Sequence, residues 1–234
     1  MKLMITFLAL AITLSSCDVL KELPNINTAG GVYTAEEAAL GIRQALNQGT
    51  GKAVSKLNTV DGFFSSAIYK ILLPPEAKKI ENTLRSLGMN SMVDKAILQI
   101  NRGAEDAVGF AKPIFIDAIK GMTISDAINI IRGSDTSATH YFRIKTNEKL
   151  IAAFSPVIKS SLDKVSATRY YSDMINTYNS FPTTVNKLNP DLPSYVTLRA
   201  TNSLFDLIAN EEKNIRENPV ARTTEILKKV FGRS

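Results

Sequence analysis

From Thr34 onward the apolar residues recur at helical spacing, and no stretch shows the sustained alternation of a half-buried strand. Thr34-Ala35-Glu36-Glu37 has the form of a capping box, in which the threonine oxygen accepts a free backbone N–H and Glu37 reaches back. The helix it opens carries Ala38, Ile42, Ala45 and Leu46 on one side. Gly49-Thr50-Gly51 predicts a weak point or kink before Ala53, Val54, Leu57 and Val60 resume the stripe. Asp61-Gly62 signals a turn, and the apolar run behind it, from Phe63 to Leu73, shows no assignable period. Pro74-Pro75 stops that run, with Pro75 suited to a first helical position. Ala77, Ile80, Leu84 and Leu87 mark the helix that follows, and Gly88 stands where a left-handed C-cap belongs.

A longer helix is predicted over residues 91–111, with Val93, Ile97, Ile100, Ala104 and Val108 on a broad face. Short helices come next. One starts at Lys112-Pro113 and ends at Gly121; another is capped by Thr123 with Asp126 and ends at Gly133. Ser134-Asp135, Thr146 and Ser155-Pro156 are three further predicted starts, and a helix around Tyr171, Ile175 and Tyr178 ends near Phe181-Pro182. Pro182 to Pro193 reads as the one long loop and as a candidate functional surface. Val196, Ala200, Leu204, Ile208 and Ile215 then form a long stripe stopped by Asn218-Pro219, and Ile226, Leu227, Val230 and Phe231 form the last. The expected architecture is an all-α bundle of about ten short to medium helices with no sheet, one domain spanning residues 34–234.

The first 33 residues have a different character. Lys2, then an apolar stretch interrupted by Thr6 and Thr13, then small residues, is the layout of a secretory signal over residues 1–16. Leu14-Ser15-Ser16-Cys17 looks like a lipobox, which implies acylation of Cys17 and cleavage before it. Residues 17–33, with Pro24 and Gly30-Gly31, read as a flexible tether. The expected location is the bacterial envelope, held to a membrane by acyl chains and facing the periplasm. Asp18 suggests inner-membrane retention under one sorting rule that varies among bacteria, so the choice of membrane stays open.

Composition narrows the chemistry further. An apolar fraction of 44% and a charged fraction of 21% suit a globular chain. The formal charge of +6 comes from scattered basic residues, which suits a solvated surface better than a nucleic-acid groove. The single cysteine is the lipidation candidate, leaving no disulfide, thiol nucleophile or thiolate metal site. The single histidine, His140, has too few partners for a transition-metal site, and no Gly-x-Ser-x-Gly elbow presents a serine to it. No phosphate loop or dinucleotide fingerprint appears, so no metal or cofactor is expected.

Two constellations remain. Glu105 and Asp117 lie in apolar-flanked helices, where burial could raise a pKa and support glycoside hydrolysis. Ile97, Asn101, Glu105 and Val108 share one helix side, so an amide and a carboxylate border the core and need partners. Arg102, Arg132 and Arg143 are the candidate partners, in a structural network or a pocket for a polar or anionic ligand. Glu212, by contrast, reads as an ordinary surface carboxylate.

The runs Asp61-Gly62-Phe63, Asn101-Arg102-Gly103-Ala104-Glu105, Pro113 to Ile119, Thr139 to Thr146 and Asn218 to Thr224 resemble a bacterial domain-of-unknown-function family, number 4197. The resemblance covers roughly residues 34–232. It implies a helical, envelope-directed domain and supplies no activity. The reading of the chain is therefore a lipid-anchored, non-enzymatic binding or interaction module, whose partner is an envelope protein or small ligand. The alternative is a cell-wall hydrolase working through Glu105 and Asp117.

Overall fold

The computed structural model describes residues 26–28, 31–180, 182, 185 and 187–232. The signal segment and Cys17 lie outside the described residues. The molecule is an all-α bundle; among the described residues nine helices run α1 Ala35–Leu57, α2 Lys78–Ser86, α3 Asn90–Val108, α4 Ala111–Lys120, α5 Ile124–Arg132, α6 Ser137–Asp163, α7 Ala167–Ser180, α8 Leu192–Glu217 and α9 Glu225–Phe231. A small hairpin precedes them. Strands β1 Ile26–Thr28 and β2 Gly31–Tyr33 pair antiparallel, where the sequence predicts only tether and no sheet. Tyr33 is buried with Ala38 and Val230, so the end of β2 is fastened to the bundle.

The start of α1 follows the sequence: Glu37 N–H donates to Thr34 Oγ1 at 3.2 Å, and Thr34 N–H donates to Glu37 Oε2 at 2.9 Å. The predicted kink at Gly49-Thr50-Gly51 is absent, because α1 runs unbroken through it. Packing overrides the propensity. Gly49 sits beside Glu211 and Ile208 of α8, and the Thr50 hydroxyl donates to the Leu46 carbonyl of its own helix. Helix α1 packs against α8, α5, α4 and α9.

The three helices predicted between Ser134 and Val165 are one helix, α6, of 27 residues with Pro156 inside it. A proline removes one ladder bond and crowds the carbonyl one turn before it. Phe154, Ile158 and Leu162 are fully buried on this stretch, so burial on both sides of the proline holds the helix together. That fusion brings the helix count among the described residues slightly below ten. At the other extreme, α3 ends three residues early, and Gly109-Phe110 turns the chain into α4. Residues 58–74 contain no helix, which explains the missing period there.

Helices α3, α6 and α8 make the densest packing, and Phe115 of α4 closes one side of it. Its ring stacks on Phe142 of α6, with centroids 5.3 Å apart, and meets Phe205 of α8 edge-on at 6.3 Å. Where α3 crosses α6, Gly103 leaves no room: an added Cβ would lie 2.9 Å from Ser161 Cβ. Gly103→Val is therefore expected to overpack the crossing and cost about 1–3 kcal/mol. Gly51 faces open space inside α1, so Gly51→Ala is expected to stabilise by up to about 1 kcal/mol. Thermal unfolding of the two variants checks both signs, at about 2–4 °C per kcal/mol for a domain of this size.

Candidate functional site

The polar residues predicted at the edge of the core are in it, and they are fully engaged. Asn101 is completely buried; its Oδ1 accepts from Ile71 N–H at 2.9 Å, and its Nδ2 donates to the Ile71 and Ile97 carbonyls at 2.8 and 2.7 Å. One amide thus imitates a strand partner for the irregular segment 58–74. One turn on, Glu105 Oε1 accepts from the N–H groups of Phe63 and Phe64, both at 3.1 Å. Its Oε2 pairs with Arg102 Nη1 at 2.6 Å, and Arg102 Nη2 reaches Asp61 Oδ1 at 2.7 Å. The two carboxylates keep the Arg102 guanidinium above its ordinary pKa, Glu105 more than Asp61. Asp61 has φ +68°, and a Cβ on Gly62 would lie 2.6 Å from the Lys56 carbonyl oxygen, so this turn depends on its sequence.

The other sequence candidates lie elsewhere. Asp117 on α4 and Arg132 on α5 are exposed, and no hydrogen bond or ion pair among the described residues ties either to the Asn101–Glu105 group. Arg143 is on α6 in a different environment, described below. Glu105 is buried against segment 58–74, whereas Asp117 is exposed on α4.

Glu212 corrects the sequence reading in the other direction. It is buried, because the start of α6 has no side-chain cap of its own and borrows one from α8. Glu212 Oε1 accepts from Ala138 N–H at 2.9 Å, and Oε2 accepts from Thr139 N–H and Oγ1, both at 2.8 Å. A carboxylate at a helix N-terminus meets free N–H groups and the positive end of the helix dipole. Arg216, one turn along, bridges Glu212 at 3.0 Å and the Ile130 carbonyl at 3.0 Å.

Beside this cap lies an open cleft of about 580 Å³ between α6, α8 and the segment 58–74. Thr136, just before α6, and Thr139, His140 and Arg143 of the helix line one side; α8 contributes Arg199, Asn202, Ser203, Phe205, Asp206 and Ala209; the segment adds Ile68 and Tyr69. Arg143 is half-buried, with its guanidinium 4.4 Å from the centroid of the Phe205 ring, and its Nη1 donates to Asn202 Oδ1 at 2.8 Å. Across the cleft the Tyr69 hydroxyl donates to Asp206 Oδ2 at 2.7 Å. Burial, and then the Asp206 carboxylate, push the Tyr69 phenol up to about 12. Ser203 Oγ donates to the Arg199 carbonyl at 2.9 Å, and no hydrogen bond among the described residues joins His140 to Ser203 or Asp206.

A family model matches residues 32–232. The chain belongs to the DUF4197 family, described as proteins of unknown function. No curated protein and no solved structure matches it.

The runs that carry the resemblance can now be placed by what they touch. Asn101, Arg102 and Glu105 hold segment 58–74, and Gly103 sits at the α3–α6 crossing. Asn218 Oδ1 accepts from Val220 N–H at 3.1 Å, and buried Arg222 donates to the Ile215 and Arg216 carbonyls at the end of α8, both at 3.0 Å. Thr139 receives the Glu212 cap. These are fastenings between helices.

Among the described residues no helix is long and apolar enough to cross a membrane, and no cluster of His, Cys, Asp and Glu could hold a metal ion. The cleft residues on α8 follow the 199–202–203–206 spacing of one helix face. That polar stripe is visible in the sequence, but a solvated face of any amphipathic helix has the same pattern.

Removing a buried carboxylate here strands its partners. Glu105→Ala leaves two N–H groups and Arg102 without their acceptor and is expected to cost about 3 kcal/mol. Glu212→Ala should cost a similar amount, while Glu225→Ala, at an exposed side chain, should stay within about 0.5 kcal/mol. Denaturant unfolding of the three variants checks the order.

Proposed function

We propose that this protein is a lipid-anchored envelope protein that binds a small ligand in the cleft between α6 and α8 without catalysing a reaction. The observation that carries the binding reading is the cleft itself. Its volume lies within the range of small-molecule sites, and polar groups from three elements converge on it. The anchor reading rests on Leu14-Ser15-Ser16-Cys17 behind a short apolar segment. Two features support binding over hydrolysis. Glu105 spends both oxygens on structural partners, and the Ser203 proton is directed to a carbonyl of its own helix rather than to His140.

Two experiments test the two halves separately. Intact mass and membrane fractionation should show an acylated chain starting at Cys17, and Cys17→Ser should yield uncleaved precursor or soluble protein. An unmodified Cys17 in the membrane-bound form overturns the anchor. For the cleft, protein purified from its own envelope should retain small molecules detectable by mass spectrometry. Ala209→Trp, which fills the cleft from α8, should lose them. Retention of the same compounds by a folded Ala209→Trp overturns the binding site.

A further inference from the structure

We propose that the cleft between α6 and α8 takes the anionic group of its ligand, a carboxylate or phosphate, on Arg143 and Arg199. This rests on the reading of the cleft as a binding site and adds the chemistry of what fills it.

The first observation is a contrast among arginines. Arg85, Arg102 and Arg216 each pair with a carboxylate at 2.6 to 3.0 Å. Arg143 and Arg199 have no carboxylate partner among the described residues, although Arg143 is half-buried. Buried Arg222 also lacks a carboxylate but is satisfied by two backbone carbonyls, whereas Arg143 meets only the Asn202 oxygen among the described residues, so its remaining N–H groups are left for another acceptor.

The second observation is that the cleft's own acid is already taken. Asp206 Oδ2 accepts from the Tyr69 hydroxyl at 2.7 Å and from Asn210 Nδ2 at 3.1 Å. Two arginines against one engaged carboxylate leave the cleft positive even with His140 neutral. The third is preorganisation. The Phe205 ring beneath Arg143 and the Asn202 oxygen at its edge fix the plane of the guanidinium, with most of its N–H groups uncommitted. A fixed fork of N–H donors matches carboxylate and phosphate oxygens two at a time. Asn202 accepts through its oxygen, which leaves its NH₂ as a further donor. Ile68, three-quarters exposed at the rim, and Ala209 give an apolar wall for the rest of the ligand.

The test uses the full mature protein and three probes: phenyl phosphate, benzoate, and vesicles of phosphatidylglycerol compared with phosphatidylcholine. At least one probe should bind saturably and more weakly as salt rises. Arg143→Gln should weaken it by about tenfold or more, the loss expected for one charge-assisted hydrogen bond. Arg199→Gln, at an exposed position, should weaken it several-fold without loss of stability, and Lys159→Gln on the far part of α6 should leave it unchanged. Binding of the free anions identifies a soluble ligand; binding of phosphatidylglycerol vesicles alone, lost in both arginine variants, identifies a lipid headgroup. No binding of any probe, or binding undiminished in Arg199→Gln and in a folded Arg143→Gln, overturns the proposal. If envelope compounds are lost from Ala209→Trp but kept by both arginine variants, the cleft stands and its anion chemistry falls. If Ala209→Trp keeps them, the cleft itself falls.

Discussion

Everything on the cleft side of the molecule depends on how α3 satisfies a backbone that is not helical. Residues 58–74 pass over the bundle in turns, with no helix to pair all of their N–H and C=O groups. Turn bonds within the segment, such as Ser66 N–H to the Phe63 carbonyl, pair some of its groups, but the Phe63 N–H and both peptide groups of Ile71 are buried and take partners from α3. Glu105 takes the N–H groups at one end and Asn101 takes both groups of Ile71 at the other. Tyr69 lies between these two clamps. The segment can therefore hold a phenol against Asp206 and form a wall of the cleft, although it has no regular structure of its own.

The same device recurs where helices begin and end. Helix α6 has no side-chain cap from its neighbours in sequence, and Glu212 supplies one from α8. The end of α8 is closed by Arg222 from the following turn. Buried charges here are tolerated because each meets several hydrogen-bond partners in fixed positions. These fastenings also set the relative placement of α6 and α8: Thr139 is joined to Glu212, and Arg143 to Asn202 ten residues earlier on α8. The two helices must run antiparallel, and their polar faces open onto one cleft.

Much of the fold is legible in the chain. The capping boxes at Thr34 and Thr123, the left-handed Gly88 and the stop at Asn218-Pro219 are all local chemistry, and each stands where its residues place it. Local signals are overridden where they meet tertiary burial. Gly49-Thr50-Gly51 and Pro156 both weaken a helix on intrinsic propensity, yet α1 and α6 run through them because apolar residues on either side are buried. Of the polar candidates, Asn101 and Glu105 are readable because their spacing puts them on one helix side, and Arg102 because it lies three residues before Glu105, within side-chain reach on a helix. Arg132 has only sequence proximity to recommend it and Asp117 only an apolar-flanked helix, and neither says which helix faces meet.

The sequence by itself determined the helical class, most helix ends and the need for Asn101 and Glu105 to find partners. Helical period and capping are interactions within about one turn, so they are written in neighbouring residues. Only the tertiary structure decided which partners those residues take, that Glu212 is a buried cap, and that Arg143 and Arg199 share a cleft with Tyr69. Those outcomes depend on which helix faces meet, and a polar stripe bound for solvent is spelled the same way as one bound for a neighbouring helix.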